Sequence, residues 1–170
     1  MPSGQTHDRI TWVCFPFITV SAYVLTQSWR LAAVASISFL FSGLMFGPDL
    51  DVHSKQYLRW GLLRIIWLPY QEFVPHRSWL SHGPIVGTIG RTLYLGFWML
   101  MLGGGCCTAW AIAQGYSWDH YFSGVEIFTA WSESLQTGLF VSFCGLEMGA
   151  FSHYASDWIS SRVKRLKRMF

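Results

Sequence analysis

Three stretches of this chain carry no charged residue: 10–29 ("ITWVCFPFITVSAYVLTQSW"), 31–48 ("LAAVASISFLFSGLMFGP") and 92–118. About 20 mainly apolar residues suffice to cross the hydrocarbon core of a bilayer as a helix. A fourth stretch, 134–156, is interrupted only by Glu147 and His153. The pattern predicts an all-α fold: an integral membrane bundle of four transmembrane helices near 11–28, 31–47, 88–112 and 134–157, forming one membrane-embedded domain over residues 1–170. Only 12% of the residues are charged, against about 25% in a soluble domain. The first apolar segment lacks a basic leader and is followed at once by another, so it reads as a retained helix rather than a cleaved signal.

Lys and Arg set the orientation. Arg9, Lys55, Arg59, Arg64, Arg77, Arg91 and the tail "RVKRLKRMF" fall on one side of a four-span arrangement, and Arg30 alone falls on the other. The opposite loop, 113–133, has Asp119, Glu126 and Glu133 but no Lys or Arg. Both termini are therefore expected in the cytoplasm, for a protein of the plasma or thylakoid membrane. The basic tail suits anionic lipid headgroups rather than nucleic acid. Expected partners are membrane lipids and, in one reading, a larger membrane-protein complex. Residues 55–73 ("KQYLRWGLLRIIWLPYQEF") mix Trp, Tyr, Leu and Ile with Arg, as an interfacial segment between the second and third helices would. Cys14, Cys106, Cys107 and Cys144 lie in apolar segments without metal-type spacing and read as small packing residues.

The polar residues that remain gather at one end. His7 precedes the first helix, Asp49, Asp51 and His53 follow the second, His76 and His82 precede the third, and His153 and Asp157 close the fourth. Only His120 falls on the other side. The orientation rested on Lys and Arg alone, so this convergence is a separate observation. Imidazole and carboxylate together suit a divalent metal, zinc first and iron or manganese as alternatives. His153 and Asp157, four apart, share a helix face; an ordinary i,i+4 pair is the alternative. In "GPDLDVHS" the alternative to ligation is a solvated loop with Asp as a helix cap.

The segments "SGQTHDRIT", "GPDLDVHS", "HRSWLSHGP" and "HYASDW", in that order, resemble an uncharacterised family of metal-binding membrane proteins found chiefly in cyanobacteria. That family is similar in turn to the YdjM-like membrane-bound metal-dependent hydrolases, and more distantly to the zinc-dependent phospholipase C and single-strand nuclease superfamily. The resemblance implies metal contacts from His7, Asp49, His76, His82, His153 and Asp157, with Asp51 as a further carboxylate. "HRSWLSHG" departs from the hydrolase pattern, which has Gly after the arginine and Thr before the second His. The ligand count also falls short of the soluble phospholipases, which points to one or two ions rather than three.

A site of this kind lowers the pKa of bound water toward 7 and suits phosphoester hydrolysis. Asp51 and Arg77 are the candidates for catalytic roles, Arg77 because a guanidinium pairs in fork geometry with phosphate oxygens; its alternative is an anchor to lipid headgroups. Ser78 and Ser81 could bind the same group or orient the histidines. Glu147, about two turns inside the fourth helix, is costly in lipid and reads as a base, a partner for a histidine, or a protonated packing residue. A non-catalytic metal-binding factor for a membrane complex is the competing reading. A transporter is disfavoured because the ligands cluster at one face.

Overall fold

The computed structural model of the chain describes residues 4–115 and 133–166. All of the regular elements among them are helical. Helices α1 (Gly4–Thr26) and α2 (Trp29–Leu44) form a hairpin. A 3₁₀ turn (Pro48–Asp51), α3 (Lys55–Leu58), a second 3₁₀ helix (Gly61–Trp67), α4 (Leu68–Phe73) and α5 (Trp79–His82) then lead to α6 (Val86–Ala113) and α7 (Glu133–Leu166). The acidic residues Asp119 and Glu126, together with His120, lie outside the described residues, as does the end of the basic tail.

The central element is α2. Its buried residues, Ala32, Ala35, Ser36, Phe39, Ser42 and Gly43, recur at the three- and four-residue spacing of one helical stripe, and nearly all are small. Small residues let helix backbones approach closely and join through interhelical hydrogen bonds, the packing mode that serves where lipid supplies no hydrophobic drive. On one flank a Cβ at Gly43 would stand 2.6 Å from the Thr11 hydroxyl of α1, and Thr19 and Ser36 share a hydrogen bond of 2.8 Å. On the other flank Gly145 and Gly149 of α7 lie against the carbonyls of Ala35 and Phe39, and Ser38 and Ser142 are hydrogen-bonded at 2.8 Å.

The segment between α2 and α6 forms a cap over the end of the hairpin. Its core is Phe46, Leu50, Tyr57, Ile66, Trp67 and Tyr70. This explains why residues 55–73 show no clean helical periodicity: a seven-residue 3₁₀ helix, with three residues per turn, stands between two short α-helices. Trp67 is fully buried while Leu62 is 95% exposed. Gly47 is required where it stands, because a Cβ there would collide with the Gln56 amide, which itself donates to the Gly43 carbonyl at the end of α2. Arg59 adds a bidentate pair to Asp8, at 2.8 and 2.7 Å, and so ties the cap to the first turns of α1.

Among the described residues three stretches are long and apolar enough to cross a membrane: Gly4–Thr26, Trp29–Asp51 and Val86–Ala113. The fourth long helix, α7, carries Glu147, His153, Asp157 and the start of the basic tail within its 34 residues. Helix ends shift from the expected ones. The first begins at Gly4 rather than near 11, so His7 rides on a helix instead of preceding one, and the last continues to Leu166 rather than ending near 157. Neither extension has a Pro or an internal Gly to interrupt it. The cysteines differ as well: Cys106, Cys107 and Cys144 are exposed rather than packed inside. On a surface that faced lipid, an apolar residue would have no need of the interior.

Candidate metal centre

Four segments deliver polar side chains to one end of the hairpin. The first turns of α1 present His7, the 3₁₀ turn after α2 presents Asp49 and Asp51, the α5 region presents His76 and His82, and α7 presents His153 and Asp157. Pro48 opens the 3₁₀ turn, which points its two carboxylates inward, and Ser78 caps α5 through the Ser81 N–H.

The seven side chains form a continuous chain in which imidazole and carboxylate alternate. His7 Nε2 lies 3.5 Å from Asp157; Asp157 lies 3.6 Å from His153 Nε2; His153 Nε2 lies 3.3 Å from Asp49 Oδ2. From Asp49 Oδ1 it is 3.7 Å to His82 Nε2, then 3.5 Å from His82 Nδ1 to Asp51 Oδ2 and 2.9 Å from Asp51 Oδ1 to His76. Two compact triads stand out, His7–His153–Asp157 and Asp51–His76–His82, each with one ligand atom per residue inside 4.8 Å. Asp49 sits between them and turns one oxygen toward each.

These separations are informative. A charge-assisted N–H···O bond closes to about 2.7–2.9 Å, and only the His76–Asp51 pair does so. Two ligands of one tetrahedral ion, each about 2.1 Å from it, stand about 3.4 Å apart. Four of the other five distances, 3.3 to 3.7 Å, fall around that value; the fifth, 3.5 Å to Asp51, starts from the His82 nitrogen that faces Ser81. Consistently, Asp49 Oδ1, Asp51 Oδ2, His82 Nε2, His153 Nε2 and Asp157 Oδ1 are buried without a hydrogen-bond partner. Buried polar atoms are rarely left so, and cations held at the two triads would give them partners.

Serines fix two of the rings. Ser156 Oγ donates to the His153 carbonyl and lies 2.8 Å from His7 Nδ1, so His7 must donate there. That choice of tautomer leaves Nε2 as a lone pair facing Asp157. Ser81 does the same for His82: its hydroxyl donates to the carbonyls of Pro75 or Ser78 and accepts from Nδ1 at 2.9 Å, freeing Nε2 toward Asp49. Burial by itself would push the His82 imidazole down, but Asp49 and Asp51 on either side raise it to about 9. A proton is held where a second positive charge belongs. The rings of His7 and His153 stack at 3.8 Å between centroids, which locks both.

Residues 2–167 match the family described as "Uncharacterized metal-binding protein (DUF2227)". The chain belongs to that family. A stretch of 73 residues, 42% of this chain, is 34% identical to an uncharacterized protein of Aquifex aeolicus (strain VF5). The match spans 50% of that relative's length. No solved structure matches. For a member of a metal-binding family, the two His/Asp triads are the candidate ligand clusters.

Other polar residues singled out by the sequence lie apart from the cluster. His53 is exposed and leans on the Tyr57 ring. Arg77 is exposed, has a positive φ of 61°, and makes no hydrogen bond or ion pair with a described residue. Glu147 reaches neither triad. Its Oε1 accepts from the Ile85 N–H at 3.0 Å, where Ile85 holds a φ of 65° at the start of α6. A branched residue in that region is strained, and the carboxylate ties the strained hinge between α5 and α6 to α7. An oxygen acceptor is all the contact requires. Glu147→Gln is therefore expected to keep metal content and thermal stability, while Glu147→Ala loses about 0.5–1.5 kcal/mol for the exposed bond. Thermal denaturation of both variants checks this, and equal losses in the two would show that the charge itself matters.

Sequence reasoning passed over Arg91 and Ser156. Arg91, at the start of α6, is fully buried, donates to the Ser81 carbonyl at 2.7 Å and to Thr88 at 3.2 Å, and so braces the segment that carries His82. Its only visible role in the sequence was as a positive charge for topology. Ser156 stands three residues after His153, on the same helical face, and that spacing was a usable signal.

Proposed function

We propose that this chain is a membrane-embedded, metal-dependent hydrolase that cleaves a phosphoester at the cytoplasmic face. The observation that carries the reading is the alternating His/Asp chain with tetrahedral-edge spacings, opened by a polar cavity of about 130 Å³ onto His7, Asp49 and His153. One ion would be held by His7, His153, Asp157 and Asp49, and a second by Asp49, His82, Asp51 and His76. Zinc is the ion that donor set suits best, with iron or manganese next. Paired ions supply Lewis acidity and bring the pKa of water toward 7. The chain's own contribution is position: Ser156 and Ser81 hold the tautomers, Asp49 joins the two halves, and Arg91 keeps the His82 segment in place.

Four membrane spans, with α7 as the fourth and both termini cytoplasmic, put this end of the bundle at the bilayer surface. Lipids are then the neighbours from which a substrate would come. The resemblance to YdjM-like hydrolases supports the same chemistry. The competing reading is a non-catalytic metal protein in which the ions staple α1, the cap and α7 together; it is favoured by the burial of His153 and Asp51, 2% and 4% exposed.

The test is turnover of bis(p-nitrophenyl) phosphate by the purified, metal-loaded full chain. Hydrolysis that falls at least a hundredfold on chelation, and again in Asp51→Asn in step with weakened binding of the second ion, is the expected result. A chain that binds metal, loses thermal stability on chelation, and turns over none of a phosphomonoester and phosphodiester panel would be the staple instead.

A further inference from the structure

The cavity over the metal centre has a wall that the ligand set does not explain, and the geometry points to a built oxyanion subsite there, centred on Lys55. This rests on the metal-centre reading above and adds the binding group for the substrate. The cavity of about 130 Å³ is bounded on its inner side by His7, Asp49 and His153 and on its outer side by Gly4, Ser54 and Lys55. That volume admits a phosphoryl or carboxylate head and little more.

Three observations give the site its sign. Lys55 forms no ion pair with a described carboxylate, and its stem lies across Gly4, where an added Cβ would stand 2.9 Å from its Cδ. Any larger residue at the start of α1 would push the ammonium away. Gly4 is also the first described residue of a 23-residue helix, so the positive end of the α1 dipole lies at the cavity edge. His153, 2% exposed, lines the cavity; with Nε2 turned to the ligand carboxylates, Nδ1 is left as a buried N–H without a hydrogen-bond partner.

The carboxylates on the same wall do not oppose this. Asp8 is neutralised by its bidentate pair with Arg59, and Asp49 is a ligand whose charge a cation would offset. An anion is therefore welcome only after metal has bound. Arg77, the guanidinium that the sequence offers for this role, does not line the cavity.

Inorganic phosphate and dodecyl phosphate carry the same head, one free and one on a hydrocarbon chain, and serve as probes. Both are titrated calorimetrically into the zinc-loaded full chain in non-ionic detergent, beside Lys55→Gln and Arg77→Gln, with metal content measured on every sample. Loss of one charge-assisted contact should weaken phosphate binding about tenfold or more in Lys55→Gln. Arg77→Gln should bind as the unaltered chain does, and both should keep their metal. Dodecyl phosphate binding at least tenfold tighter than phosphate supports a subsite for lipid headgroups; equal affinities support one for a soluble phosphate. Full phosphate affinity in Lys55→Gln with metal intact overturns the subsite and leaves the metal centre standing. A chain that holds no metal overturns both.

Discussion

On the two-ion reading proposed above, Asp49→Ala is expected to reduce bound metal from two ions per chain to less than one, the largest effect of any single ligand replacement. The reason is its position between the triads. Oδ2 stands 3.3 Å from His153 and Oδ1 stands 3.7 Å from His82, so each ion loses a ligand when this one side chain is truncated. His7→Ala and His76→Ala each touch one triad only and should leave about one ion bound. A four-ligand zinc shell reduced to three protein ligands opens to water, and two shells opened together leave His82 and Asp51 held by little beyond their serine and histidine partners. Because metal binds the folded chain alone, its loss should also lower the melting temperature. Elemental analysis after dialysis against metal-free buffer, with melting curves alongside, checks both effects. An unaltered chain that holds a single ion, or an Asp49→Ala chain that keeps two, would remove Asp49 from its bridging role.

The same comparison shows which parts of the site were readable from sequence. The gathering of His7, Asp49, Asp51, His76, His82, His153 and Asp157 at one end follows from topology: in an antiparallel bundle, positions just before one apolar span and just after the next are neighbours in space. The spacing of four between His153 and Asp157 needed only the helical repeat. Other features depend on distances that no periodicity encodes. That Asp49 divides its oxygens between two triads depends on the 3₁₀ turn set by Pro48. That Lys55 rather than Arg77 walls the cavity depends on how the cap folds back over Gly4. Residues 55–73 were the hardest part to read, because their aromatic residues are divided between the cap core and an exposed face by a helix with a three-residue repeat. Glu147 was legible as a costly charge and illegible as a clamp, since its partner is a backbone N–H 62 positions away.

Gly149→Leu is expected to disable the metal centre without touching a ligand. A Cβ at this position would stand 2.6 Å from the Phe39 carbonyl, 2.6 Å from the Ser42 Cβ and 2.9 Å from the Gly43 N. Two of these are backbone atoms, so no rotamer change relieves the overlap, and α2 and α7 must move apart by about an ångström to restore ordinary contact. Overpacking of this kind costs about 1–3 kcal/mol in well-packed interiors, and here the cost spreads along the helix. His153 follows Gly149 by four residues on the same face, about 6 Å further along the axis. The separations of 3.3 and 3.6 Å that it keeps to Asp49 and Asp157 tolerate little displacement, since ligand distances vary by only about 0.2 Å. Melting temperature and metal content should therefore fall together in Gly149→Leu. Gly104→Leu, on α6 where an added Cβ meets nothing within 4 Å, should change neither. Loss of stability with metal fully retained would mean that the centre is held by the α1 hairpin and cap alone, and that α7 contributes ligands without setting their geometry.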